Sequence, residues 1–316
     1  MLPPPTILCP VDFSDSSRMA LGLAGAIAHR FAGRLTVLHV NDPLLVAAAA
    51  TRHLNLAEEA ETELREMMAV TLGPTDTWST APTIVVTTGK PESQILKVAK
   101  DERADLVVMG TRGLTGYRKA FFGSTTERVL RHTELPVLAV PLEMESGLPA
   151  PAPQAFRGPV LAAVDFSEAS TRSVRLAVGL AEAFGVQVLL AHIAAELSVP
   201  PRWQERGVAA PETDSAGVRR RLEDLAGVRP TAVPIETTVA SGAPAEEIAR
   251  LASGRHAGLI VMGLHGAGGL LAPAIGSTAY RVLSLAPVPV LAIPGQRLHS
   301  AFFRALEDGN GSNAPG

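Results

Sequence analysis

The sequence predicts two tandem α/β domains, each a five-stranded, mostly parallel sheet with helices on both faces. Three observations carry this. Landmarks recur at a single offset of 153 residues: VDFS around Asp12 and Asp165, His39-Val40 and His192-Ile193, Gly89-Lys90-Pro91 and Gly242-Ala243-Pro244, Gly110 and Gly263, LPVLAVP from Leu135 and VPVLAIP from Val288. That period is too long for a solenoid repeat, so each copy is a complete domain. Within a copy, short apolar runs alternate with stretches whose apolar residues recur at three and four, the pattern of strand–helix units. The composition agrees: 47% of residues are hydrophobic but only 4% aromatic, so small aliphatic side chains fill the interior, as in parallel strands beneath Ala-rich helices.

The elements of the first copy follow in order. Thr6 to Val11 reads as a strand, and Ser14 or Asp15 can cap the next helix. Ala20, Leu23, Ala24, Ile27 and Phe31 mark its buried face, and Gly33 ends it. Leu35 to Val40 is the second strand. A looser region around Pro43 follows, then a helix from about Asn55, which pairs with Glu58 as a cap and buries Leu56, Ala60, Leu64 and Met67. Thr83 to Thr88 is the third strand. Pro91 suits the first turn of a helix with an inner face of Ile95, Val98 and Ala99. Leu106 to Met109 is a fully apolar fourth strand, a helix runs through Val129 and Leu130, and Pro136 to Val140 is the last strand. In the second copy the stretch from Pro200 to Pro234 is less regular and its helix shorter. The resulting division is a first domain at 1–141, a Pro-, Ala- and Gly-rich linker at 142–158, a second domain at 159–294 and a tail at 295–316. In the tail, Leu298, Phe302 and Leu306 predict a short packed helix, and the final DGNGSNAPG reads as disordered.

The most informative stretch follows the fourth strand. Gly110, Gly113 and Gly123-Ser124-Thr125 return as Gly263, Gly266 and Gly276-Ser277-Thr278. Glycines let backbone amides converge on a ligand. Ser124 and Thr125 open a helix at its positive end, an arrangement that holds phosphate; a tight turn with an ordinary cap is the other reading of either copy alone. Ligands of doubly wound sheets sit beyond the carboxyl ends of the strands, where the strand order reverses. If the first and fourth strands are neighbours, VDFS and the glycine loop face one crevice. Asp12 and Asp165 can then bind a ribose or base, or cap the next helix. His39 and His192 read more readily as structural than as catalytic. Arg112, Arg118, Lys119, Arg128 and Arg131 either offset phosphate charge or form a solvated basic face. The second loop carries His265, Leu271 and Ala272 instead, which predicts weaker nucleotide binding there.

Other chemistries lack their signatures. There is no G-x-x-x-x-G-K-[ST], no G-x-G-x-x-G and no G-x-S-x-G, and none of the eight histidines pair at zinc-ligand spacing. The net charge of −3 gives no reason to expect nucleic acid or an acidic membrane as partner. The lone cysteine, Cys9, excludes an internal disulfide and reads as a buried, inert thiol. The first ten residues lack the pattern of an export signal, and no apolar run reaches a membrane span; the expected location is cytoplasmic.

The order VDFS, Gly-x-Pro, VMG-x2-G-x9-G-S-T, PVLAVP resembles the universal stress protein family in its tandem form, over nearly all of 6–141 and 159–294. The resemblance implies a doubly wound five-stranded parallel sheet in each copy and a site for ATP, or for AMP or ADP, with Mg2+ accompanying the phosphates. By position it assigns Pro10, Asp12 and Val40 to adenine and ribose, and Met109, Gly110, Gly113, Gly123, Ser124 and Thr125 to ribose and phosphates. The second site would use Ala163, Asp165, Ile193, Met262, Gly263, Gly266, Gly276, Ser277 and Thr278, with Ala163 a mild departure from Pro10. The resemblance also implies pairing through the last strand. Val137 to Val140 and Val290 to Ile293 are apolar edges needing a partner, so the tandem chain can form an intramolecular pseudo-dimer, and the whole chain a homodimer. The expected function is a nucleotide-dependent stress-response regulator without fast turnover. A slow ATPase or nucleotidyl transferase, and a scaffold that binds no nucleotide, are the alternatives.

Overall fold

The computed structural model describes residues 2–74, 78–112, 123–142, 156–194, 202, 215–227, 231–265, 275–295 and 298–308. The first half runs β1 (Thr6–Pro10), α1 (Asp15–Arg30), β2 (Arg34–Asn41), α2 (Pro43–Ala50), α3 (Leu56–Leu72), β3 (Thr83–Thr88), α4 (Pro91–Asp101), β4 (Leu106–Gly110), α5 (Ser124–His132) and β5 (Val137–Val140). The second half runs β6 (Val160–Ala163), α6 (Glu168–Phe184), β7 (Val188–Ala194), α7 (Ser215–Ala226), β8 (Ile235–Ser241), α8 (Pro244–Gly254), β9 (Leu259–Gly263), α9 (Ser277–Leu285) and β10 (Val290–Ile293), closed by α10 (Ala301–Glu307).

The strands form one sheet in the order β3-β2-β1-β4-β5-β10-β9-β6-β7-β8. Pairing within each half is parallel. The seam is antiparallel, with Leu138 opposite Leu291. The two apolar last strands therefore cover each other, and the two five-stranded sheets are continuous. Period-two alternation sorts the core into two layers. Ile7, Cys9, Leu35 and Val37 face α1 and α3, while Leu8, Leu38, Val107 and Met109 face α4 and α5. The second half repeats this, with α6 and α7 on the first face and α8 and α9 on the other.

Two local expectations need correction. The region around Pro43 is helical: Asp42 accepts from Leu44 N–H at 2.7 Å as N-cap, and Pro43 fills the first helical position, where its missing N–H costs nothing. No residue of α2 is buried, so no amphipathic pattern announced it. The residue that ends α1 in a left-handed conformation is Ala32, at φ 49°, and not Gly33. Gly33 is needed for space, since a Cβ there would stand 2.5 Å from the Pro5 carbonyl oxygen. At the end of the linker stretch, Phe156 is buried and stacks edge-on against Phe184 at 4.8 Å.

The tail helix takes the form its periodicity predicts. Ser300 caps α10, and Leu298, Phe302 and Leu306 are buried. Its backbone lies directly on α6, where a Cβ at Gly179 would meet the Leu306 carbonyl oxygen at 2.4 Å. It also reaches the first half: Phe302 packs edge-on against Phe31 at 5.0 Å. Arg30 donates to the Ala183 carbonyl at 2.8 Å across the same seam.

Candidate functional site

In each half the chain reverses direction across the sheet between the first and fourth strands, so β1 and β4 are neighbours, as are β6 and β9. The VDFS turn and the glycine loop leave from adjacent strand ends. The crevice between them opens because the ladder stops early. β1 pairs with β2 through Pro10 but with β4 only as far as Leu8 opposite Val107. Val11 N–H points to β2, bonding the Leu38 carbonyl at 2.8 Å, so by alternation residue 10 faces β4, where proline has no N–H to donate. In the second half Ala163 replaces Pro10, and the β6–β9 ladder runs one pair further, to Ala162 opposite Val261.

The first turn is braced from both sides. Phe13 takes a left-handed φ of 65°, and Phe166 one of 61°. A phenylalanine there carries strain of about 1–3 kcal/mol, and its surroundings hold it. Phe13 packs on His39 with ring centroids 4.6 Å apart, and Phe166 on His192 at 4.9 Å. Nδ1 of each histidine lies 2.8 Å from the carbonyl oxygen of Val11 or Val164. A carbonyl only accepts, so Nδ1 carries the proton and each imidazole is a strut for the turn. Beyond it, Asp12 accepts from Ser14 N–H at 3.1 Å and Ser14 Oγ at 2.5 Å, while Ser14 Oγ accepts from Ser17 N–H at 3.2 Å. Asp12 thus orients the residue that caps α1 and is not itself the cap. Asp165 does the same for Ser167.

The glycine loop is tied to this turn. Ser14 Oγ donates to the Arg112 carbonyl at 3.5 Å, and Arg112 N–H donates to Ser16 Oγ at 3.4 Å. Gly110 must be glycine here, because a Cβ would lie 2.3 Å from Ser16 Oγ and 2.9 Å from its carbonyl carbon. The loop returns through Gly123, whose N–H donates to the Thr111 carbonyl at 2.7 Å, and Thr126 Oγ1 donates to the Gly110 carbonyl at 2.8 Å. The start of α5 is thereby folded back onto the end of β4. Neither α5 nor α9 has a side-chain cap, their N-cap residues being Gly123 and Gly276. By contrast, Ser14 and Ser167 cap α1 and α6. The exposed Ser124 and Ser277 stand in the first turn of each uncapped helix, and its amides give the crevice a positive end suited to an anion.

The other nominated residues fall as follows. Pro10 and Val40 are part-buried at the ends of β1 and β2. Met109 and Met262 are 4% and 5% exposed and belong to the core, so they offer backbone to the crevice. Ile193 is buried, Ala163 part-buried and Asp165 exposed; Thr125 and Thr278 are part-buried in their helix starts. Gly113, Gly266, Arg118, Lys119, Leu271 and Ala272 lie outside the described residues. Arg128 and Arg131 form surface pairs with Glu92 at 3.4 Å and Glu127 at 2.7 Å, the solvated alternative. Sequence reasoning missed Thr126 and Ser16, whose bonds span 16 and 96 residues. It also missed Arg221 on α7, whose guanidinium lies 3.8 Å from the centre of the Phe166 ring. The second turn thus gains a cation from an element outside the loop.

The halves differ in wiring. Ser16, Arg112 and Thr126 become Ala169, His265 and Ala279. The loop return survives on backbone alone, with Gly276 N–H donating to Leu264 O at 2.8 Å.

Comparison with known proteins agrees with this geometry. A protein-family model described as the universal stress protein family matches residues 5–141 and 157–294. A universal stress protein of Mycolicibacterium smegmatis is 26% identical over 299 residues, which cover 91% of this chain and 96% of that one. One from Thermus aquaticus is 34% identical over 142 residues, 43% of this chain and 97% of its own. Among solved structures, a universal stress protein from Archaeoglobus fulgidus aligns with a TM-score of 0.66 over 92% of this chain and 98% of its own, at 21% identity, a likeness of fold.

Proposed function

The chain belongs to the universal stress protein family, and on that premise we propose that its two crevices bind an adenine nucleotide, ATP or its AMP and ADP relatives. In this reading the bound state, and not rapid turnover, is the regulatory output in a stress response. The observation that carries it is the repeated pairing, on one strand edge, of an uncapped helix start with an aspartate turn. The residues fit such a ligand. The amides of Ser124 and Thr125 and their hydroxyls would take the phosphates, and Asp12, at the end of the first strand, would face a ribose hydroxyl. Val40 and Pro10 would flank the base. Mg2+ would accompany the triphosphate and screen its charge. Gly123 leaves the approach to the helix start clear of a side chain.

The second crevice is the weaker of the two in this reading. Its ladder closes one pair further, and it lacks Ser16, Arg112 and Thr126. Calorimetric titration of MgATP into wild type, Gly123→Val and Gly276→Val tests both points. The expected result is loss of the tighter phase in the first variant and of the weaker phase in the second. Saturation at 100 times Kd raises stability by about 2.7 kcal/mol, so wild type that shows neither heat nor thermal shift in millimolar MgATP refutes the proposal. Phosphate release measured alongside, if present in wild type and abolished by Gly123→Val, would move the protein to the enzymes.

A further inference from the structure

A second hollow lies on the carboxyl edge of the first half, on the opposite face of the sheet from the glycine loop. It holds about 360 Å3 between the ends of β2 and β3, the inner side of α2 and the first turn of α3. Alternation along β2 separates it from the crevice: Val40 packs with the α4 and α5 face, while Asn41 falls on the face of Leu35 and Val37 and lines the hollow.

Two features mark the hollow as an unfinished environment. Asn41 is only 4% exposed, its backbone carbonyl accepts from Gly89 N–H at 3.0 Å, and its side-chain Nδ2 donor meets no acceptor among the described residues. Buried amide donors are normally paired, and leaving one bare is costly. His53, which also lines the hollow, is the left-handed residue that ends α2, at φ 57°, with Leu54 N–H bonded to the Ala49 carbonyl at 3.1 Å. Finally, α2 consists of apolar residues yet buries none of them. It turns Val46 and Ala50 toward the hollow and leaves Leu44 80% exposed.

We propose that this hollow binds a small amphiphile, a medium-chain carboxylic acid or its amide. The chain would lie against Val46, Ala50 and Leu56, and the head oxygen would accept from Asn41 Nδ2. The terminal amide torsion is soft, so the donor can turn to the ligand without disturbing β2. The volume is at the lower end of the range for small-molecule pockets, and the lining is amphiphilic, with an apolar side from α2 and the start of α3 and a polar side of Asn41, His53, Asn55 and Thr88. An apolar body is required because the hollow offers Val46, Ala50, Leu54, Leu56 and Ala57. The second half has Ala194 where the first has Asn41, so it lacks the donor at this place. This inference does not rest on nucleotide binding.

Octanoate titrated into the full chain, labelled with 15N at asparagine and 13C at leucine and valine methyls, tests it by NMR. Saturable shifts are expected at the Asn41 side-chain amide and at the Val46 and Leu56 methyls. Asn41→Ala should weaken binding about 2- to 10-fold, the loss of one hydrogen bond, and Ala50→Trp should abolish it by filling the space. Leu44→Ser, on the outer side of α2, should leave it unchanged. Shifts that never saturate, that survive Ala50→Trp with Asn41→Ala also silent, or that centre on Leu44 and Leu45 would overturn the proposal. MgATP affinity in Asn41→Ala should match wild type, which keeps this outcome separate from the fate of the nucleotide reading.

Discussion

Replacing Gly110 by alanine should destabilise the chain, whereas the same change at the repeat-related Gly263 should not. At Gly110 the new methyl would stand 2.3 Å from Ser16 Oγ and 2.9 Å from the Ser16 carbonyl carbon. The hydroxyl can rotate away, but the backbone of α1 cannot, and it is also tied to Arg112 N–H through that hydroxyl. Overpacking of this kind costs about 1–3 kcal/mol. Against it, alanine removes about 0.4–1 kcal/mol of unfolded-state freedom where its conformation is allowed. Gly110 is not among the positive-φ glycines, so that gain applies, and the net loss is up to about 2.6 kcal/mol, centred near about 1.3 kcal/mol. At Gly263 the nearest atoms are Ala169 Cβ at 3.2 Å and the His265 carbonyl oxygen at 3.3 Å. A shift of a few tenths of an ångström relieves both, and the net change should fall within about 0.5 kcal/mol of zero. Urea unfolding of both variants, read by circular dichroism, gives the comparison. Ser16→Ala added to Gly110→Ala should recover part of the loss, because it removes the closest atom. Equal costs at the two glycines, or no recovery, would refute the claim that α1 crowds β4 in the first half alone.

Three further expectations follow from the same structure. Burial pushes the Cys9 thiol far above its ordinary range, so it should resist a thiol reagent at pH 8 in the native chain and react fully in urea; prompt labelling of folded protein would contradict this. Phe302→Ala should cost about 3–5 kcal/mol as a buried aromatic truncation, because Phe302 is 2% exposed and bridges Phe31 and Phe303, whereas Leu44→Ala should change the urea midpoint little. Arg255 grips Glu236 with bonds of 2.6 and 3.0 Å and lowers its pKa chiefly through that hydrogen bond. A lowered folded pKa stabilises above the unfolded value near 4.5 and is lost as pH falls through the folded one. Wild type should therefore lose its melting-temperature advantage over Glu236→Gln between pH 5 and pH 3, by a small amount since both side chains are well exposed. A difference that is flat across that range would contradict the assignment.

Much of the fold was legible because local pattern and tertiary demand coincide. β3 and α4 fall where Thr83 to Thr88 and Pro91 place them, and the 153-residue offset exposes both halves. α2 was not legible: a helix that fully buries no residue carries no periodicity, and Pro43 looks like a breaker until Asp42 is seen as its cap. The candidate site was legible as motifs and not as wiring. The glycines and aspartates announce close approach and turns. The bonds from Ser14 and Ser16 to Arg112, and the stack of Arg221 on Phe166, join residues that only the strand order brings together.

That division explains how the two crevices can share a backbone and yet differ. The features common to both halves are the left-handed turn, the histidine strut beneath it, the glycine return and the bare helix start. None depends on a side chain that reaches across the crevice, so each survives when Ser16, Arg112 and Thr126 are exchanged for Ala169, His265 and Ala279. The cross-links are the variable layer. In the second half the Ser16 and Thr126 hydroxyls are replaced by Ala169 and Ala279, while the ladder extends one pair further beside Ala163. Affinity at such a site is set by how firmly the amides are held before the ligand arrives. Among the described residues the second half keeps the main-chain bonds of the crevice and lacks the Ser16 and Thr126 hydroxyls, so under the proposed nucleotide reading its amides would be held less firmly.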